Sequence, residues 1–372
     1  MFNKIDLIKK LDRYVGKPLL PVLKAVYKPR QLNVEKPSSF LFIRPGGIGD
    51  AVLLLPIIIA LKKLYPEALI NVLCEKRNSA VFALIDGINE VFLYDRKIDL
   101  LQGVLGIQYD IVVDTEQWYR FSAIVAYLTG APIRVGFSTN ERRRLFTYPV
   151  SYSNDDYEIN SFSNLLSVAI NKPINIPLRE CAYAPYTPFI KIDSKDNQFV
   201  SPIHSKGIIC IFPGASVYQK KWSKTNYGLL AKKLSNDGYK IVILGAATES
   251  KDAKIIIGAA PDSIDLTKKT TIKDICNILS ISSLLITPDS GLLHLAFAVG
   301  TKTVSIFGAS SVTKWAPKGQ SHTAICKELN CSPCSSFGNV PPCLYNCKCM
   351  SMISVDEVYE KSINLLENTN LE

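Results

Sequence analysis

The chain contains no run of the ~18 to 20 uninterrupted apolar residues that a membrane-crossing helix needs. Its first residues, MFNKIDLIKKLDRYVGK, also lack the apolar core of a signal peptide. A cytoplasmic protein is therefore expected. Acidic residues form no Asp-x-Asp pair with supporting ligands, because the adjacent Asp155 and Asp156 sit alone in a polar stretch, and this argues against a catalytic divalent cation. No repeat of fixed period and no low-complexity tract occurs, which sets aside repeat architectures and unstructured tails.

What is present is ordinary globular composition, with 47% hydrophobic and 20% charged residues over 372 positions. That length exceeds what one hydrophobic core usually supports, so two domains are expected. Lys and Arg number 43 against 33 acidic residues, a formal charge of +10, which favours an anionic partner or simply a basic surface. Over residues 5–26, Ile5, Ile8, Leu11, Val15, Leu19, Leu20 and Leu23 alternate with Lys4, Lys9, Lys10, Arg13, Lys17 and Lys24. A basic amphipathic helix of this kind either lies on an anionic membrane face or packs its apolar stripe on the body of the protein.

From Ser39 the pattern alternates strand and helix. Strands FLFIRP, LINVLCE, EVFLYD and YDIVVDTE are interleaved with helical segments at Asp50 to Tyr65, Asn78 to Leu84 and Trp118 to Thr129. These strands are continuous apolar runs, which suits a parallel sheet covered on both faces. Prolines at 173, 177, 185, 188 and 202 then interrupt the periodicity. It resumes with GIICIFPG, YKIVILGAA, SLLITP and KTVSIFG, separated by helical segments including Gly291 to Val299. The expected organisation is an N-terminal extension at 1–37, a Rossmann-like domain at 38–180, a linker at 181–205, a second Rossmann-like domain at 206–350 and a C-terminal helix within 351–372.

Two strand-to-helix junctions carry chemistry. In RPGGIGD, Gly46, Gly47 and Gly49 permit a tight turn and close approach of a ligand. Asp50 heads the following helix, where a carboxylate serves either as general base or as a cap. Read as a dinucleotide fingerprint the segment fails at its third glycine, where Val52 stands, so a nicotinamide enzyme using Glu75 on a ribose is a weak reading. In TPDSGLLH, Asp289 or Ser290 caps a helix opened by Gly291, and its free N–H groups suit a diphosphate. His294 lies one turn in, either at the site or in the core. Lys220 and Lys221 before Trp222 are point charges for a phosphate or a solvated pair, and Glu249 past a strand end suits ribose hydroxyls or a cap.

Taken in order, RPGGIGDAVLLLP, DTEQ, RVGF, PGASVYQKKW, LGAATES, DLTKKTTIKDICNIL and TPDSGLLHLAFAVGTKTVSIFG resemble glycosyltransferase family 9, the ADP-heptose heptosyltransferases, across residues 38–350. The resemblance implies an α/β GT-B fold, with two doubly wound Rossmann-like domains facing across a cleft. It also implies inverting, metal-independent transfer of a sugar from an ADP-sugar, usually ADP-heptose, to an anionic lipopolysaccharide-core acceptor, with no nucleic acid partner and no catalytic cofactor. By position, Asp50 matches the catalytic base, Lys220 the donor-phosphate lysine and Glu249 the ribose-binding glutamate. Asp289, Ser290, Gly291 and His294 match the donor-binding helix start, and Arg44, Gly47, Gly49, Glu116 and Arg134 are expected to line the acceptor side. Arg142, Arg143 and Arg144 are either phosphate contacts or a solvated basic loop. GASSVTKWAP after the last strand and Glu116 in DTEQ depart from the usual pattern. The same fold acting with another nucleotide sugar on an O-antigen intermediate or a protein, and a catalytically silent scaffold, are the alternatives.

Six of the ten cysteines fall within 326–349. In a reducing compartment such spacing points to metal rather than a disulfide framework. A structural zinc on Cys331, Cys334, Cys343 and either Cys347 or Cys349 is expected, with free thiols as the alternative.

Overall fold

The structure, a computed structural model, describes Asp12, Tyr14, Pro18 and residues 36–174, 176, 189–190 and 205–367. The expected N-terminal amphipathic helix and the expected linker thus fall almost wholly outside the described residues. The chain divides into two compact units, Met1–Ile176 and Pro177–Glu372.

The first unit holds β1 (Ser39–Arg44), α1 (Ile48–Leu64), β2 (Leu69–Cys74), β3 (Glu90–Leu93), β4 (Ile111–Asp114), α2 (Arg120–Leu128), β5 (Ile133–Phe137), β6 (Tyr148–Val150) and α3 (Glu158–Ile170). Its strands pair in the order β3-β2-β1-β4-β5-β6, all in parallel. β1 is buried along its whole length, as its uninterrupted SFLFIR requires of a strand covered on both faces. The stretch at Ser79–Leu84, expected as an α-helix, is a 3-10 helix. Strands β5 and β6 and helix α3 were not foreseen from the sequence. Asp12, 2% exposed, caps α2, its Oδ1 accepting the N–H groups of Arg120 at 2.6 Å and Phe121 at 2.9 Å.

The second unit holds β7 (Ile208–Ile211), α4 (Lys224–Asn236), β8 (Lys240–Ile243), α5 (Ser250–Ala259), β9 (Ile264–Asp265), α6 (Ile272–Ser280), β10 (Leu284–Pro288), α7 (Gly291–Val299), β11 (Thr303–Ile306), α8 (Val312–Trp315), β12 (His322–Ile325), α9 (Lys348–Ser351) and α10 (Val355–Glu367). The strand order is β12-β11-β10-β7-β8-β9, again parallel. Numbered within their own units, both sheets run 3-2-1-4-5-6, the doubly wound order whose ligands sit beyond the carboxyl ends of the strands where the winding reverses. That reversal lies between β1 and β4 in one unit and between β7 and β10 in the other.

Helix α10 closes the second core. Val358 and Leu365 join the buried cluster with Ile209, Ile241 and Trp222, and the Trp222 indole N–H donates to the Ile353 carbonyl at 3.0 Å. No helix among the described residues is long and apolar enough to cross a membrane.

Candidate functional site

At the reversal point of the first unit, the chain leaves β1 through Arg44, turns at Gly46 and enters α1. Gly46 has φ +112°, a conformation that glycine adopts without a Cβ penalty, and a Cβ there would also stand 3.3 Å from Arg44 Nη2. Gly47 is the N-cap and supplies no side chain, while a Cβ on it would come within 3.2 Å of Asp50 Oδ2. Gly49 lies in the first turn of α1 beside Asp50.

Arg44 is 2% exposed and organises this end of the sheet. Its Nη1 donates to the Thr115 carbonyl at 2.8 Å, its Nη2 pairs with Glu116 Oε2 at 3.1 Å, and Nη1 stands 4.0 Å from Asp50 Oδ1. Burial would weaken the guanidinium's hold on its proton, but the carboxylates of Asp50, Glu116, Glu158 and Asp114 outweigh it, and the net shift is upward. Glu116 is itself tied down, its Oε1 accepting the Trp118 N–H at 3.0 Å. Asp50 is therefore turned toward Arg44 and Gln117, whose Nε2 stands 3.5 Å from Oδ1. Among the described residues Oδ2 accepts no hydrogen bond.

Gln117 and Glu158 were not singled out from the sequence, yet the fold brings them here. Gln117 Nε2 donates to Glu158 Oε1 at 2.6 Å, and the Tyr152 hydroxyl donates to Glu158 Oε2 at 3.0 Å. Glu158 is fully buried and opens α3. The signal that would have located it is the apolar spacing Ile159, Phe162, Leu165, Leu166, Ala169, Ile170 directly behind it.

Two of the expected basic contacts are corrected. Arg134, 5% exposed, donates from Nε to the Leu145 carbonyl at 3.0 Å and from Nη1 to the Ala131 carbonyl, so it is anchored on backbone in the core of the unit. The Arg142–Arg144 run splits, since Arg142 is fully buried on Asp114 at 2.5 Å while Arg143 and Arg144 are exposed. Neither a uniform phosphate contact nor a uniformly solvated loop describes it.

The second unit's reversal point gathers the other predicted residues. Lys220 ends a 3-10 turn after β7, and its Nζ donates to Asp289 Oδ2 at 2.7 Å. Asp289 lies just past β10 and is 9% exposed. Burial alone would raise its carboxyl, but Lys220 and His294 outweigh it and hold the group below the usual carboxylate range. Ser290, rather than Asp289, is the N-cap of α7, its Oγ accepting the Leu293 N–H at 3.4 Å. Gly291 opens the helix, whose first-turn N–H groups have no intrahelical carbonyl to bond. His294, 3% exposed, sits within the electrostatic reach of Asp289.

Glu249 is 5% exposed at the end of β8. Its Oε2 accepts the Ala246 N–H at 2.9 Å and its Oε1 the Thr248 hydroxyl at 2.7 Å, so it braces its own turn. The turn also needs glycine nearby, because a Cβ on Gly214 would come within 2.8 Å of Glu249 Cδ.

The cysteine segment packs under this end of the sheet. The Cys334 N–H donates to the Ala309 carbonyl at 2.9 Å, and the Cys347 N–H points at Cys343 Sγ at 3.2 Å. Burial pushes the Cys347 thiol up to about 11, with Cys343 adding to the shift, whereas N–H groups of Tyr345 and Cys347 pull Cys343 down. Among the described residues no three His, Cys, Asp or Glu side chains gather closely enough to hold a metal ion, so the expected tetrahedral zinc set is not assembled in this arrangement. Cys349, the alternative fourth ligand, is buried against Gly308, where a Cβ would stand 2.8 Å from its sulfur.

Compared with known proteins, residues 98–344 match the model of glycosyltransferase family 9 (heptosyltransferase). The chain is 30% identical over 184 residues to lipooligosaccharide heptosyltransferase 2 of Campylobacter jejuni, covering 47% of this chain and 56% of that protein. It is 22% identical over 296 residues to lipopolysaccharide heptosyltransferase 2 of Salmonella typhimurium, covering 73% of this chain and 83% of that one. Its fold matches the structure of E. coli ADP-heptose lps heptosyltransferase II with a TM-score of 0.69 at 19% identity, over 89% of this chain and 99% of that one.

Proposed function

The chain belongs to glycosyltransferase family 9, and from that premise we propose that it moves heptose from ADP-heptose to an anionic lipopolysaccharide-core acceptor in the cytoplasm, with inversion and without a catalytic metal. The observation that carries the donor side is the Lys220–Asp289 pair beside His294 and the α7 N-terminus. A lysine point charge and free helix N–H groups are what a departing diphosphate needs in place of a cation. On the acceptor side Asp50 Oδ2 takes the hydroxyl proton as that oxygen attacks the anomeric carbon and the bond to ADP breaks, through an oxocarbenium-like transition state. Glu249 receives ribose hydroxyls on lone pairs its turn leaves over.

The proposal extends to two further contacts. Residues 1–35 would rest on an anionic membrane face, a reading supported by their basic amphipathic pattern. Structural zinc on Cys331, Cys334, Cys343 and Cys347 is supported by donor chemistry and by the mutual field of these thiols, not by their present spacing.

Calorimetric titration with ADP, UDP and GDP, followed by heptose transfer to heptose-deficient lipopolysaccharide, tests the reading. Binding should favour ADP and weaken about 10- to 150-fold in Lys220→Ala, the worth of one charge-assisted contact at about 1.5–3 kcal/mol. Asp50→Asn should keep ADP affinity and lose transfer by about 10²- to 10⁴-fold. Preference for UDP or GDP, or full transfer by Asp50→Asn, would overturn it.

A further inference from the structure

Glu158 poses a physical question that the transfer reaction alone does not answer. A fully buried carboxylate is costly unless paired and hydrogen-bonded, and this one is 0% exposed. Among the described residues, three groups help to offset its burial. Gln117 donates to Oε1 at 2.6 Å, Tyr152 donates to Oε2 at 3.0 Å, and Arg44 contributes its field.

The first of these contacts has a directional consequence. A primary amide presents either two N–H donors or a carbonyl oxygen. Because the Glu158 carboxylate only accepts, it requires the NH₂ end of Gln117, and that same nitrogen is the one 3.5 Å from Asp50 Oδ1. With Arg44 Nη1 also on the Oδ1 side at 4.0 Å, both donors address one oxygen of Asp50. Oδ2 is left to accept a proton.

We propose that Glu158 is a positioning residue that fixes the Gln117 amide and, through it, presents Asp50 Oδ2 for proton abstraction. The chain of contact runs Tyr152, Glu158, Gln117, Asp50, and spans four segments that only the fold brings together. Tyr152 remains a proton donor in this chain, since burial and the adjacent Glu158 carboxylate push its phenol upward. Arg44, whose Nη1 stands 4.0 Å from Asp50 Oδ1, is itself surrounded by the carboxylates of Asp50, Glu116, Glu158 and Asp114. The proposal rests on the reading of Asp50 as base, and its test separates the two.

Transfer of heptose from ADP-heptose to heptose-deficient lipopolysaccharide is measured from pH 5 to 9 for the full-length wild type, Asp50→Asn, Glu158→Gln and Gln117→Met. In Glu158→Gln the amide is free to turn its carbonyl to Asp50, so kcat should fall about 10- to 100-fold with the donor KM unchanged. Gln117→Met breaks the link while leaving Glu158 in place, and should lower kcat with the donor KM again unchanged. It decides the matter if Glu158→Gln does not fold. Wild-type kcat in a folded Glu158→Gln, or wild-type kcat in Gln117→Met, would overturn the positioning role. Undiminished transfer by Asp50→Asn would instead sink the base reading beneath it, and the positioning role with it.

Discussion

Arg142→Met is the substitution whose consequence follows most directly from the structure. Arg142 and Asp114 are both fully buried and stand 2.5 Å apart. Arg142 also donates to Ser122 Oγ at 3.2 Å and to the Glu116 carbonyl. Methionine fills much of the same space but provides no donor, leaving a lone carboxylate in the core. Removing one partner of such a pair costs about 3–5 kcal/mol. The pH dependence has a definite sign. Burial already lifts the Asp114 carboxyl above its ordinary value, against the opposing pull of Arg142 and the Glu116 N–H. A carboxyl raised in the native state holds its proton more tightly folded than unfolded, so it lowers stability as pH rises through that interval. Without Arg142 the native value climbs further. The deficit of the variant is therefore smallest well below the ordinary carboxylate range, where Asp114 is protonated in both states, and widens as pH rises. A global melt would mix two units with separate cores, so the assay is hydrogen exchange of the β4 amides at Ile111–Asp114, taken as a variant-to-wild-type ratio at each pH. The expected ratio at neutral pH is on the order of 10²- to 10⁴-fold faster exchange. Adding Asp114→Leu should recover most of it, because an apolar pair of similar volume carries no stranded charge. A ratio under tenfold that does not change between pH 5 and 8 would refute the reasoning.

Two other outcomes are expected. Gly214→Ala places a Cβ 2.6 Å from Phe212 Cζ and 2.8 Å from Glu249 Cδ, so Glu249 must shift and ADP affinity should fall about 10- to 150-fold, the loss of one hydrogen bond to a charged group; unchanged affinity by calorimetry would show that Glu249 does not touch the nucleotide. Metal analysis of protein purified without chelator should find about one equivalent of zinc, absent from Cys334→Ser/Cys343→Ser, whereas less than about a tenth of an equivalent in the wild type would remove the zinc reading.

What the sequence made legible is what depends on short-range pattern. The apolar runs of β1, β4 and β10 announce covered parallel strands, and both glycine-bearing turns lie at the reversal points that the topology later defines. Asp50, Lys220 and Asp289 were all named from local context, and the pairing of the last two at 2.7 Å follows once β7 and β10 are neighbours. The misses share a different cause. Arg134 reads as an acceptor-side contact, and Arg142 as a phosphate contact or part of a solvated loop, because charge usually means exposure, and nothing nearby in sequence announces Leu145, Ala131 or Asp114 as their partners. Glu158 stays hidden for the same reason, since 41 positions separate it from Gln117. A buried ion is recognised only when its counter-charge is found, and that is a property of the fold.

The two units repeat one topology but assign it opposite electrostatics, and this division matches what transfer requires. Around β1 and β4, Asp50, Glu116, Glu158 and Asp114 outnumber Arg44 and Arg142. Under the proposed reading this is the acceptor side, where the Asp50 carboxylate takes the hydroxyl proton. Around β7 and β10, Lys220 and His294 bear on the single carboxylate of Asp289 and hold it ionised, beside a helix N-terminus that itself favours anions. Under the proposed reading, the Lys220 charge and that helix end suit a departing diphosphate. The overall charge of +10 is thus a poor guide to either site. A proton acceptor and an anion acceptor impose contrary demands on their surroundings, and building each into its own sheet meets both without a metal ion having to reconcile them.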